Sequence, residues 1–293
     1  MIDFEYFRPQ TIGEAVRLYN KYGEKAKLLA GGTELMNEFR LGKSKPEQVI
    51  DIKHIKELDF IELTADGLRI GALYRLWDVE CSEILRNSPF NVLSYVAGTM
   101  ASPQVRNKAT IVGNVCRSSP SADMLPPLIA LGAKAKIIGK EAERIVPVED
   151  ISIGPGKTIL KPGEILTEIQ IPNLAEYSGC TYYKVSPRKS MDLAVVGVAV
   201  MLRTDPDMTA CIDARIVLGA VGPTAIRARK AESMLIGKKL NVSAIEDAGK
   251  TAVGECNPID DVRSTAWYRK QMIAVGVKRT IGFSMKEINK RKK

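Results

Sequence analysis

Histidine is almost missing from this chain of 293 residues, with His54 the single example. A Ser-His-Asp triad or a histidine-based metal centre therefore has next to nothing to be built from. His54 sits in the polar stretch Asp51-Ile52-Lys53-His54-Ile55 and reads as a surface residue. Cysteine is also scarce: Cys81, Cys116, Cys180, Cys211 and Cys256 are odd in number, scattered and never spaced C-x-x-C. That argues against a zinc site, a disulfide framework or an iron–sulfur cluster held by this chain alone. No apolar run reaches the roughly 18 residues needed to span a bilayer. The amino-terminal residues lack the basic-then-apolar order of a secretory signal, so the cytoplasm is the expected location. Interleaved basic and aromatic runs are lacking too, although the formal net charge is +9. Much of that excess lies in Lys278-Arg279 and in the tail from Lys286 to Lys293. It suits a solvated face or a docking surface for an acidic protein partner better than a nucleic-acid groove, which stays as an alternative.

The most informative features present are two glycine-containing segments. In the first, Leu28-Leu29-Ala30-Gly31-Gly32-Thr33-Glu34-Leu35, an apolar run breaks into a glycine pair. The second is Thr110-Ile111-Val112-Gly113-Asn114-Val115-Cys116, with Ser118 to Asp123 close behind. Each reads as a strand edge that turns sharply through residues tolerating positive φ. Such turns point several backbone N–H groups the same way and form a nest for an anion. Two nests suit the two halves of a diphosphate, although either glycine segment alone would serve as a plain turn. Asp123, in a Ser/Pro-rich loop, is either a cofactor ligand or a cap for the helix that follows. Cys116, beside the second turn, reads as a buried thiol rather than a redox one.

Thr11 with Glu14 three residues on is a capping-box signature for a helix to about Tyr22. A strand over Lys27 to Ala30, a helix over Thr33 to Leu41 and a strand over Gln48 to Ile52 complete a small β-α-β-like unit. The helix after the first turn would add a favourable dipole for phosphate. Further strands are expected around Leu68-Arg69-Ile70, Ala135 to Ile138 and Ile165 to Ile171, and helices over Phe90 to Met100 and Asp123 to Leu131. The polar stretch from Asn173 to Gly179 marks a boundary, giving domains 1–176 (subdomains about 1–53 and 54–176) and 177–293. Three strands are expected next, at Thr181 to Tyr183, Ala194 to Leu202 and Ala214 to Val221. Helices follow over Ala225 to Leu235, Val242 to Val253 and Ser264 to Lys290. Strands followed by helices make this last part an α+β domain.

In order and spacing these blocks resemble the flavin (medium) subunit of the molybdenum hydroxylases, the group of xanthine dehydrogenase, nicotinate dehydrogenase and carbon monoxide dehydrogenase. The resemblance rests on Ala30 to Leu35, on Gln104-Val105-Arg106-Asn107 leading into Thr110 to Asn114, and on Asp123 nine residues later. A third block is Tyr183-Lys184 with Arg188 and Asp192-Leu193-Ala194. It implies an α+β fold: a two-subdomain FAD-binding domain of the PCMH type, then a carboxyl-terminal domain with a three-stranded antiparallel sheet and helices. FAD would lie with its diphosphate between Leu28, Leu29, Ala30, Gly31, Gly32, Thr33 and Glu34 on one side and Thr110, Ile111, Val112, Gly113 and Asn114 on the other. Asp123 would accept from ribityl or ribose hydroxyls, Leu166 would touch the flavin ring, and Lys184 would place positive charge at its polar edge. Partner chains would carry the molybdopterin cofactor and two [2Fe–2S] clusters, and reduced flavin would pass a hydride to NAD. Met100 and Met191 depart from relatives that carry an aromatic and an acidic residue there. Gly154 to Lys157 and Arg263 to Thr265 lean toward the purine-oxidising branch. A stand-alone FAD oxidase of the vanillyl-alcohol-oxidase type is the other enzymatic reading.

Overall fold

A computed structural model describes residues 3–188 and 191–291. The first layer is a parallel sheet of β1 (Glu5–Phe7), β2 (Ala26–Leu29) and β3 (Gln48–Asp51), in the order β1-β3-β2. Every residue of the central β3 is buried, as expected of a parallel strand covered on both faces. Helices α1 (Ile12–Tyr22) and α2 (Leu35–Arg40) make the crossovers. The expected cap of α1 is present: Thr11 Oγ1 accepts from Glu14 N at 3.2 Å. The Glu14 carboxylate reaches one residue further back than a strict capping box, to Gln10 N at 2.9 Å.

The second layer is an antiparallel five-stranded sheet of β4 (Ile61–Thr64), β5 (Gly67–Gly71), β6 (Lys134–Ile138), β7 (Glu143–Pro147) and, after the hairpin β8 (Ser152–Gly154) and β9 (Lys157–Thr158), β10 (Ile165–Pro172). Its order is β4-β5-β10-β6-β7. Between β5 and β6 run six short helices: α3 (Leu76–Cys81), α4 (Glu83–Arg86), α5 (Asn91–Gly98), α6 (Pro103–Arg106), α7 (Ile111–Arg117) and α8 (Leu125–Ala130). All of α8 is buried.

The carboxyl-terminal sheet is four-stranded and antiparallel, not three-stranded: β11 (Ser178–Val185), β12 (Val196–Thr204), β13 (Cys211–Gly219) and β14 (Ile226–Arg227). Ile226 and Arg227, expected in a helix, pair with Leu218 and Val217 instead. The cause is Glu232, buried to 3% exposure on α9 (Arg229–Ser233). Its carboxylate accepts from Ile216 N at 2.9 Å and from the Arg227 guanidinium at 2.9 and 3.0 Å, which holds Arg227 extended along the sheet. Along β12, Val198, Val200 and Leu202 pack with α10 (Val242–Gly254) and α11 (Ala266–Arg291), whereas Ala199 and Met201 join the core of the preceding domain. This period of two makes the sheet a wall shared by both cores. Much of the basic excess near the end of the chain is partnered, with Lys278 paired to Glu246 and Arg291 to Glu287. Lys292 and Lys293 of the expected basic tail lie outside the described residues.

At the edge of the second layer, Arg144 donates to both oxygens of Glu164, at 3.0 and 2.8 Å. These bonds hold the Glu164 carboxyl below its usual 4.5, so the pair contributes stability above the unfolded-state value and loses it as pH falls through the lower folded-state value. Arg144→Met is therefore expected to lower the unfolding free energy by about 1–2 kcal/mol near neutral pH. In urea titrations the difference should shrink in acid, where Glu164 is protonated in both proteins and only the Arg144 bond to the Ile159 carbonyl still separates them.

Candidate functional site

The two glycine segments, eighty residues apart in sequence, meet in space. Backbone packs directly on backbone: a Cβ built on Gly31 would lie 2.0 Å from the Lys108 carbonyl oxygen. Gly32 has φ +73°, a left-handed conformation that glycine adopts without a steric penalty. Arg117, at the end of α7, reaches back to Glu34 at 3.3 Å and Glu38 at 3.1 Å and ties the second segment to the first. A cleft of about 380 Å³ opens at this junction. Ala30 and Gly31 line it from the first segment, Thr110 from the second and Asn107 and Lys108 from the residues just ahead of it, with Lys53, Asp59, Leu73 and Arg75 completing it. Lys53 is paired with Asp51 at 3.1 Å and Arg75 with Asp78 at 2.6 Å, so Lys108 is the cation of the lining left to favour an anionic guest.

The second segment is not the strand-edge turn expected. Thr110 caps α7, its Oγ1 accepting from Gly113 N at 3.0 Å, and Gly113 lies inside that helix without positive φ. A threonine ahead of an apolar run is itself an N-cap signal, and it prevails over the turn preference of Gly-Asn. With one lone pair used on the cap, the Thr110 hydroxyl keeps its proton for an acceptor in the cleft. Asn114 Oδ1 accepts from Met124 N at 3.3 Å, which leaves its amide N–H groups available. The first segment does open a helix, but α2 has six residues, so its dipole is small.

Asn114 leads to Asp123, where the structure brings together two of the expected residues. Lys184 Nζ lies 2.9 Å from Asp123 Oδ2, with side-chain exposures of only 7% and 5%. Tyr182 donates its hydroxyl to Asp123 Oδ1 at 2.7 Å, and Lys184 also donates to the Thr99 carbonyl at 3.2 Å. Burial pushes the Asp123 carboxyl up, opposed by the Lys184 ammonium and the Tyr182 hydroxyl. Leu166 is buried in β10, beside an irregularity in its pairing with β6. Met100 is buried as well, whereas Met191 is exposed at φ +63°. Arg188 pairs with Asp192 at 2.6 Å on the surface. Desolvation pushes the Cys116 thiol up to about 12, consistent with an inert thiol. His54 is half-buried and accepts from Arg8.

Residues 2–174 match the family described as the FAD binding domain in molybdopterin dehydrogenase, and residues 181–282 match the CO dehydrogenase flavoprotein C-terminal domain. The chain belongs to the flavoprotein subunits of the molybdenum hydroxylases. This subunit is 36% identical to the carbon monoxide dehydrogenase medium chain of Hydrogenophaga pseudoflava, over 95% of this chain and 96% of that one. It is 32% identical to the xanthine dehydrogenase FAD-binding subunit of Escherichia coli O157:H7, over 96% of both. These identities give no weight to the purine lean of the sequence. Its fold superposes on the solved carbon monoxide dehydrogenase of Hydrogenophaga pseudoflava with a TM-score of 0.93 at 34% identity, covering 97% and 98% of the two chains.

Two residues of the subunit's buried network escaped the sequence reading. Tyr182 is an apolar-looking strand residue until Asp123 is placed against it. Gly197, opposite Lys184 in β12, makes room for it: a Cβ there would lie 2.5 Å from the Tyr182 hydroxyl. The period of two was the available signal, since Tyr182 and Lys184 must share a face of β11. Tyr182→Phe leaves one buried Asp123 oxygen without its donor. It is expected to cost about 1–3 kcal/mol of stability by urea titration, with the loss growing as pH rises and Asp123 ionises.

Proposed function

We propose that this flavoprotein subunit holds FAD with its diphosphate in the cleft between Leu28–Glu34 and Thr110–Asn114, and that it is the electron outlet of a larger enzyme. In this reading a partner chain oxidises the substrate at the molybdenum cofactor, a second carries electrons through [2Fe–2S] clusters, and NAD⁺ receives a hydride here. The observation that carries the placement is the meeting of Gly31 with Lys108, beside a cleft lined by the first segment, by the residues leading into the second and by Thr110. Thr110 and Asn114 retain O–H or N–H donors that suit a dinucleotide, and Lys108 adds positive charge at the cleft. We place the domain boundary at 176/177 and the subunit in the cytoplasm. No helix among the described residues is long and apolar enough to cross a membrane.

FAD, when bound, supplies the hydride and electron chemistry, and the protein supplies binding, orientation and electrostatics. Asp123 orients the ribityl or ribose hydroxyls through whichever lone pairs Tyr182 and Lys184 leave open. Leu166 packs against the ring, and the Lys184 ammonium favours its reduced, more negative form. No side-chain base is needed, in keeping with a single histidine.

The placement is tested at Gly113, where an added Cβ meets only the Thr110 hydroxyl, at 2.9 Å. Gly113→Val crowds the Thr110 cap, so it is expected to keep its fold by circular dichroism at a cost of about 0.5–2 kcal/mol of stability, and to bind FAD at least tenfold more weakly, an effect of about 1.4 kcal/mol. Full FAD occupancy in that variant would remove the diphosphate from this cleft. The acceptor is tested separately: FAD-loaded protein reduced anaerobically should regain its flavin absorbance and yield NADH when mixed with NAD⁺. Recovery only with oxygen or a dye would assign another acceptor.

A further inference from the structure

Gln104-Val105-Arg106-Asn107 is the block of the sequence whose chemistry the cofactor reading leaves unused. Arg106 ends α6 and is buried to 8% exposure. Its Nη1 donates to the Met100 carbonyl at 2.7 Å and to the Ala101 carbonyl at 3.2 Å. Its Nε lies 2.8 Å from Glu80 Oε2, an ion pair whose N–H is too poorly aligned to count as a hydrogen bond. Gly98 gives Glu80 its place, since a Cβ there would lie 3.1 Å from Oε1 of that carboxylate.

What Arg106 grips is a strained turn. Ala101 has φ +43°, a left-handed conformation costing a residue with a side chain roughly 1–3 kcal/mol unless its surroundings impose it. The residue before the gripped pair is Thr99, whose carbonyl accepts from Lys184 Nζ. Thr99, Met100 and Ala101 are consecutive, so the direction of the Thr99 carbonyl follows from how the next two peptide units are held.

We propose that Arg106 is a positioning residue for Lys184: by clamping the carbonyls of Met100 and Ala101, it sets the Thr99 carbonyl that holds the lysine ammonium against Asp123. The inference rests on the reading of Lys184 as the charge beside the flavin. Arginine suits the task because its planar fork addresses two carbonyls and a carboxylate at once. Lysine is a point donor on a flexible stem and cannot do so.

The test uses the full chain loaded with FAD and measures the flavin midpoint potential by spectroelectrochemical titration, beside the FAD dissociation constant. Arg106→Lys keeps the charge but loosens the clamp. It should make two-electron reduction at least tenfold less favourable, a shift of about 30 mV to more negative potential. Lys184→Met should shift the potential in the same direction by at least as much, and adding Arg106→Lys to it should change nothing further. A shift in Lys184→Met with none in Arg106→Lys overturns the positioning role and leaves the reading of Lys184 standing. No shift in either variant overturns both. Additive shifts in the double variant also overturn the proposal, because Arg106 would then act by another route. Should Arg106→Lys fail to fold, Glu80→Gln provides the same reading from the other end of the ion pair. It is expected to shift the potential negatively by a smaller amount, and an unchanged potential would overturn the clamp.

Discussion

The ion pair between Lys184 and Asp123 is the interaction on which the site depends, because it joins the two parts of the chain at an almost fully buried place. Removing two charges from water costs several kcal/mol per ion, and attraction offsets this only when the remaining lone pairs and protons are also answered. Here each carboxylate oxygen has a donor, with Tyr182 on the second, and the Thr99 carbonyl takes a further ammonium proton. The requirement propagates outward. Tyr182 and Lys184 must lie two apart on one strand, and position 197 opposite them must have no side chain. The intervening Tyr183 then faces the other way, where its ring lies 6.3 Å from that of Phe283 on α11.

The second constraint is the contact of Gly31 with the Lys108 carbonyl. Two backbones this close leave no space for a side chain, so at this junction the cleft is walled by peptide groups, with the small Ala30 and the capping Thr110 beside them. A wall of this kind presents donors that need not rearrange when an anion arrives. Arg117, bridging to Glu34 and Glu38, fixes the separation of the two segments from the far end of α7. Shape and charge at this site thus come from different residues.

Much of this was legible in the sequence because it is local. Thr11 with Glu14, the glycine pair after an apolar run, and the apolar run that forms β12 each carry their information within a few residues. Family resemblance added the order of the blocks. The misreadings share a physical cause, a distant or neighbouring side chain overriding local preference. Gly113 reads as a turn residue until Thr110 is recognised as the cap that draws it into a helix. Ile226 and Arg227 read as helical until the buried Glu232 holds them against β13. Tyr182 and Arg106 carry no local mark of their roles, since their partners Asp123 and Glu80 are 59 and 26 positions away and enter only through the fold.

The order of the chain also imposes an order in time. Asp123 belongs to the earlier domain, whereas Lys184 is made 61 residues later. At roughly 5–20 residues per second, the ribosome takes on the order of 3–12 s to cover that interval. Throughout it the carboxylate has neither its ammonium nor its phenol, so its burial must wait for β11 to be delivered. Every residue lining the glycine cleft has been made once residue 117 is in place. On a growing chain, the half of the site assigned to the diphosphate is therefore synthesised before the half assigned to the flavin.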